Sequence, residues 1–217
     1  MSEFCKDRDL LAVEPVVFLG GGFPCQELVA GTNGAVSGTT FTSAGTDFQA
    51  AGITNGMVLC VYTTIPAEGS ALEVVSVDSA TALTVSVLRA DPDSDPVGPP
   101  AGSDLSFRLR TFRPQIRGVS DTLAEKMRLI SEVSGIAQAD FANSAQLART
   151  CACGALASIF VARAENAAPS DANWTKAEHY RGEFLKLQLQ LRLVVDRDGN
   201  GRAEQTRTLG NVTLRRV

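Results

Sequence analysis

Oxygen-bearing side chains at alternate positions, closed by a glycine, are the pattern of a calcium-binding turn. This 217-residue chain has one near its end, Asp196-x-Asp198-x-Asn200-Gly201. Such a loop needs oxygen donors at its first, third and fifth positions and a glycine at the sixth for the sharp turn. Glu204 takes the ninth position. The twelfth, where a bidentate carboxylate belongs, is Arg207, a cation that repels calcium and supplies no ligand. Asp196, Asp198, Asn200 and Glu204 are therefore a weak candidate cation site. The segment reads better as a turn rich in Asx and glycine.

Other residue types that could do chemistry are poorly placed for it. The one histidine, His179, sits between Glu178 and Tyr180 with no cysteine near it in sequence, so zinc is not expected. No serine occupies a G-x-S-x-G elbow. Cys151-x-Cys153 on a helix would point its two thiols roughly 200° apart, which rules out a shared metal and makes them packing residues. Gly20-Gly21-Gly22 lacks the spacing of a phosphate-binding loop and reads as a hinge. Asp91, Asp93 and Asp95 lie among prolines, where they are solvated and not paired for acid–base work. These residues predict no enzyme and no cofactor.

Composition narrows the class further. The net charge is −4 and the hydrophobic content 44%, ordinary for a folded chain and without the basic face of a nucleic-acid binder. Basic residues gather late, at Arg202, Arg207, Arg215 and Arg216. The charged start predicts no signal peptide, and no apolar run approaches the ~18 residues of a membrane span. Five cysteines without paired spacing predict reduced thiols, mostly small buried hydrophobes.

The elements divide into two kinds. Residues 6–13 predict a short helix with Leu10, Leu11 and Val13 on its apolar side. Residues 34–37, 39–42, 57–62, 72–77, 83–88 and 105–110 alternate like strands, and several short strands at this spacing predict a small barrel or sandwich. The proline-rich stretch 91–100 predicts an extended surface loop. Ile116, Val119, Leu123, Met127 and Ile130 form one helix face, ending near Gly135. A second helix runs through Leu147, Cys151, Ala155, Ile159 and Ala162. A third, capped by Ser170, carries Trp174, Ala177, Tyr180, Phe184, Leu187 and Leu191 and lies antiparallel to the second. The expected fold is α+β: a helical bundle (three main helices plus a short N-terminal helix) in residues 1–22 and 113–192, an inserted small β-barrel or sandwich in 23–112, and an extended C-terminal arm in 193–217. Residues 211–217 alternate like a strand with no home partner. They could pair on a neighbouring chain or in a local hairpin with 203–208.

The order of these segments carries a resemblance. The opening Asp7-Arg8-Asp9-Leu10-Leu11-x-x-Glu14-Pro15-x-x-Phe18 is followed by a β-segment with Asp91-Pro92 and its proline-rich loop. Next come Phe112-x-Pro114-Gln115-Ile116, Trp174-x-x-Ala177-x-x-Tyr180-Arg181 and Asp196-x-Asp198-Gly199-x-Gly201-Arg202. Together they resemble the head-to-tail adaptor (connector) proteins of tailed bacteriophages, in the variant with an inserted β-domain. The resemblance covers nearly the whole chain on structural, degenerate motifs. It implies a virion protein of the head–tail neck, made in the bacterial host cytoplasm. Copies would form a ring, usually twelve-fold, that joins the portal protein to the next neck or tail protein. Double-stranded DNA would pass through without sequence recognition, and no membrane is involved. It also implies that residues 193–217 are a portal-binding arm, with Asn211, Val212, Thr213, Leu214, Arg215 and Arg216 as contact residues. Two other readings stand beside it. A neck stopper or tail-completion protein would suit a predominantly β chain. A carbohydrate- or surface-binding module would need exposed aromatics among Phe23, Phe41, Phe48, Tyr62 and Phe107.

Overall fold

The computed structural model of the chain describes residues 3–63, 69–127, 144–165, 167–196 and 205–208. Two compact units divide it, Leu10–Phe112 and Met1–Asp9 with Arg113–Val217.

The first unit has six strands: β1 (Gln26–Ser37), β2 (Thr40–Thr42), β3 (Val58–Tyr62), β4 (Gly69–Val77), β5 (Ala82–Ser86) and β6 (Gly102–Thr111). They lie in the order β1-β2-β5-β4-β3-β6, every pair antiparallel, and β6 bonds back to β1, so the sheet closes into a barrel. Closure leaves no open sheet edge. Inward residues alternate as the pleat demands: Leu83 and Val85 on β5, and Leu105, Phe107 and Leu109 on β6. At the centre Phe107 meets Phe41 edge-on, ring centroids 5.0 Å apart, and Phe48 at 6.4 Å. The long β1 gets past this aromatic cluster by carrying no side chain where it crosses. A Cβ on Gly31 would lie 2.6 Å from the Phe107 ring, and one on Gly34 would lie 2.8 Å from Phe41. Register shifts against β6 bend β1 at the same places.

β3 departs from alternation because both of its faces are covered. Leu59 faces the barrel interior, while Val58 and Cys60 are buried on the other face. Cys60 Sγ donates to the Phe18 carbonyl at 3.5 Å, and Phe18 belongs to the short helix α2 (Val16–Leu19), which packs on β3 and β4. Arg110 of β6 donates to the same carbonyl at 2.8 Å, and the Phe18 ring packs edge-on against Phe112 at 5.2 Å. α2 thus belongs with the barrel, as does the second half of α1 (Asp7–Val13). Val13, expected on the apolar side of α1, is exposed.

In the other unit, α3 (Arg113–Lys126), α4 (Ser144–Arg163) and α5 (Ala172–Gln190) carry the apolar faces that the spacing predicts, with Ile116, Leu123, Leu147, Cys151, Ala155 and Ile159 buried. Ala162 is exposed, and Ile130 and Gly135 lie outside the described residues. α4 and α5 run antiparallel: Phe160 stacks on Tyr180 at 5.8 Å, Gly154 meets Phe184, and Gln146 reaches the Gln190 carbonyl at 3.4 Å. By length and composition α4 could cross a membrane, yet 56% of its apolar window is buried among protein neighbours. The cap of α5 is Asp171, not Ser170. Its carboxylate accepts from the amides of Asn173 (2.8 Å) and Trp174 (3.2 Å) and from Glu165 N (2.8 Å).

The expected architecture, an α+β helical bundle with an inserted barrel or sandwich and an extended C-terminal arm, is overturned. The defining element is the closed barrel of six antiparallel strands, a sheet that buries its own apolar face without borrowing a helix bundle to do so. Among the described residues there are five helices, two of them only seven and four residues long. Nor is the tail simply an arm: β7 (Arg192–Val195) and β8 (Gln205–Thr208) pair as a two-stranded antiparallel sheet, Val195 opposite Gln205. The β-branched pair Val194-Val195 ends β7.

Candidate functional site

The calcium-like turn begins where β7 stops. Asp196 follows Val195 directly and is partly buried. Asp198, Asn200 and Glu204 lie outside the described residues, as do Asn211, Val212, Thr213, Leu214, Arg215 and Arg216. Among the described residues no group of three or more His, Cys, Asp or Glu side chains could hold a metal.

The remaining residues with chemical potential are scattered and given local work. His179 is exposed and lies edge-on to Tyr180 at 5.2 Å. Asp91 forms an Asx turn, its carboxylate accepting from Asp93 N at 2.9 Å, and Asp93 and Asp95 are exposed. The proline-rich loop is tied down: Val87 N donates to the Val97 carbonyl at 2.9 Å and Val97 N to Ser86 Oγ at 2.8 Å. At its root Arg89 forms an ion pair with Glu73 of β4, both side chains almost wholly buried. Of the triple glycine, Gly20 caps α2, donating to the Val16 carbonyl at 2.8 Å. The aromatics that a surface-binding module would need are mostly spent on the core: Phe41, Phe48 and Phe107 are buried and Phe23 and Tyr62 partly so.

Two groupings escaped the sequence reading. One is a surface. Leu185 and Leu189, one turn apart on α5, are 50% and 87% exposed, while Ala177 and Tyr180 of the same helix are buried. The signal was present: Leu185, Leu187, Leu189 and Leu191 alternate, so a helix cannot hide them all on one face. Gln188 takes the inward place instead, accepting from Lys126 Nζ at 3.1 Å. The other is a thiol pair. Cys5 is buried beside Cys151 of α4, with Ser120 of α3 against the latter at 3.3 Å. The two cysteines are too far apart in sequence for spacing to reveal them. All five cysteines are free thiols and only Cys25 is not fully buried.

Burial sets the acidity of these thiols. It pushes Cys60 up to about 11, against the opposing pull of the Arg110 guanidinium. It also raises Cys153, with Arg149 opposing. No family model, curated protein or solved structure matches the chain.

Proposed function

We propose that this chain is a non-catalytic virion protein, the subunit of a head-to-tail adaptor ring that joins the portal of a tailed phage to its neck or tail and extends the DNA channel. The neck assignment rests on the sequence resemblance. The observation that carries the packing half of the reading is the outer face of α5. A soluble helix of a lone chain turns its leucines inward, yet Leu185 and Leu189 stand out at 50% and 87% exposure. We read this exposed pair, one turn apart, as part of a face for another copy. A closed ring asks each copy to offer two different faces to its neighbours, and α5 supplies one. The net charge of −4 fits a conduit past which DNA slides, because phosphate affinity comes from lysine and arginine.

The test is quantitative peptide mass spectrometry of DNA-filled particles from the source culture. Co-purification at the copy number of the portal protein is the expected result, with crosslinks from α5 to a second copy. Absence from the particles, with the chain recovered as a soluble monomer, overturns the reading.

A further inference from the structure

The loop between β5 and β6 leaves three large apolar side chains exposed, Val87, Leu88 and Val97, the last at 55%. It is nonetheless held in place. Val87 N donates to the Val97 carbonyl and Val97 N to Ser86 Oγ. Arg89, ion-paired with Glu73, also donates to the Ser94 carbonyl. Gly98 lies so close to the turn joining β1 to β2 that a Cβ there would be 2.5 Å from the Gly38 carbonyl oxygen. A loop fixed before it meets a partner loses little freedom on docking. Its charge is acidic. Asp91, Asp93 and Asp95 are all exposed, and the one cation of residues 87–100, Arg89, is committed to Glu73. The outer face of α5 has the opposite character. Gly182, one turn before Leu185, has open space where a Cβ would stand, so a neighbour can come close there. Over residues 181–192 three cations stand against one carboxylate, and Arg181, Lys186 and Arg192 are exposed. Arg181 pairs with Glu178 at 3.6 Å and Lys186 with Glu183 at 3.4 Å, each within the helix on an open surface. Pairs of that kind hold weakly and give way to a better partner.

We propose that the loop 87–97 of one copy docks on the outer face of α5 of a second copy. Val87, Leu88 and Val97 cover Leu185 and Leu189. Asp91, Asp93 and Asp95 meet Arg181, Lys186 and Arg192. The apolar residues supply the affinity, and the charges choose the partner and the register. Like faces are discouraged: α5 against α5 would set cations against cations, and loop against loop would set three carboxylates against three. The contact is therefore heterologous. Each copy gives its loop to one neighbour and its α5 to another, and repetition closes a ring or extends a filament. The loop is thus the second face that a ring requires of each copy. This inference rests on the reading above in one respect, that α5 is a contact between copies. It needs neither a portal nor DNA.

The test mixes isotopically light and heavy preparations of the purified full chain and joins them with a carbodiimide, which links a carboxylate directly to a lysine. The expected product is a light–heavy crosslink from Lys186 to Asp91, Asp93 or Asp95. Self-association is then followed by sedimentation. Arg181→Glu/Lys186→Glu should weaken it by roughly tenfold or more, as should Asp93→Lys/Asp95→Lys, and all four changes in one chain should restore it. Crosslinks from α5 to another part of the second copy, or no recovery in the fourfold variant, overturn the inference and leave α5 standing as a contact between copies. Crosslinks found only within one isotope would place the loop on its own copy's α5, and that also overturns it. A chain that stays monomeric up to its solubility limit removes the contact and the packing half of the adaptor reading together. Self-association through this contact, in a chain absent from phage particles, removes the neck assignment and leaves the inference intact. Should a variant fail to fold, the crosslink map of the unmodified chain decides alone.

Discussion

Single residues carry charge and protons where the fold has left no water to share them. Glu73 and Arg89 are ion-paired with side chains 1% and 8% exposed, and the Arg89 backbone amide also donates to Glu73 at 3.2 Å. Removing one member of such a pair strands the other charge. Glu73→Leu should cost about 3–5 kcal/mol in urea unfolding, and the double variant Glu73→Leu/Arg89→Met should recover much of it. A double variant no better than the single would show that the pair itself, and not the stranded arginine, sets the cost. Cys60 makes a pH prediction. Its thiol titrates at about 11 in the folded chain, up from 9.0. Between about pH 9 and about pH 11 the unfolded chain has lost this proton and the folded chain has kept it. Stability should therefore fall as pH rises through that window, by roughly 2–3 kcal/mol from this group. Cys60→Ala lowers stability throughout, but its unfolding free energy should decline less steeply over the same range.

Elements are held by where side chains are absent as much as by where they are present. Gly154 of α4 lies where side chains of two other helices press on it: a Cβ there would lie 2.8 Å from Val119 of α3 and 2.9 Å from Phe184 of α5. Alanine is the better helix former by about 1 kcal/mol, but the clash with a β-branched residue and a ring outweighs that gain. Gly154→Ala should be net destabilising by about 1–3 kcal/mol, read from the shift in denaturation midpoint. An unchanged or raised midpoint would mean the helices can part without loss. Much at this scale was legible beforehand. The helix faces through Ile116 and Leu147 and the strand faces of β5 and β6 follow from period alone. Val87 was not: it continues the β5 alternation but lies beyond Ser86, where the chain turns away to bond Val97 and leaves it exposed.

The whole molecule is two compact units, and the boundary after Asp9 has a consequence. Phe18 is buried against Phe112, and its carbonyl accepts from both Cys60 and Arg110. A fragment of residues 10–112 should fold with a single cooperative transition, because its core is complete. A fragment of residues 23–112 lacks Phe18 and should be less stable by at least about 3 kcal/mol, the cost of one large core aromatic. Equal stability of the two fragments would show that α2 is ornament to the barrel and not part of it.

Local periodicity determined the kind of the three long helices and of β3 to β6, but only residues 34–37 of the twelve-residue β1, because a pleated strand and an α-helix each impose one spacing on their apolar residues where a single face is covered. The start of α5 was written locally to within one residue: the sequence reading capped it with Ser170, and Asp171 holds the place. The tertiary structure decided what no window of sequence contains. The barrel closes because β1 is long enough, and bare enough at Gly31 and Gly34, to bond β2 on one side and β6 on the other. The end of α1 and all of α2 join the barrel because Leu10 and Phe18 find their partners there. Cys5 meets Cys151, and Leu189 is left in the open, because only packing selects which of several apolar faces is covered. Contacts such as Gly31 with Phe107 and Phe18 with Phe112 join residues far apart in sequence, and their energy appears only when the chain has closed the loop between them.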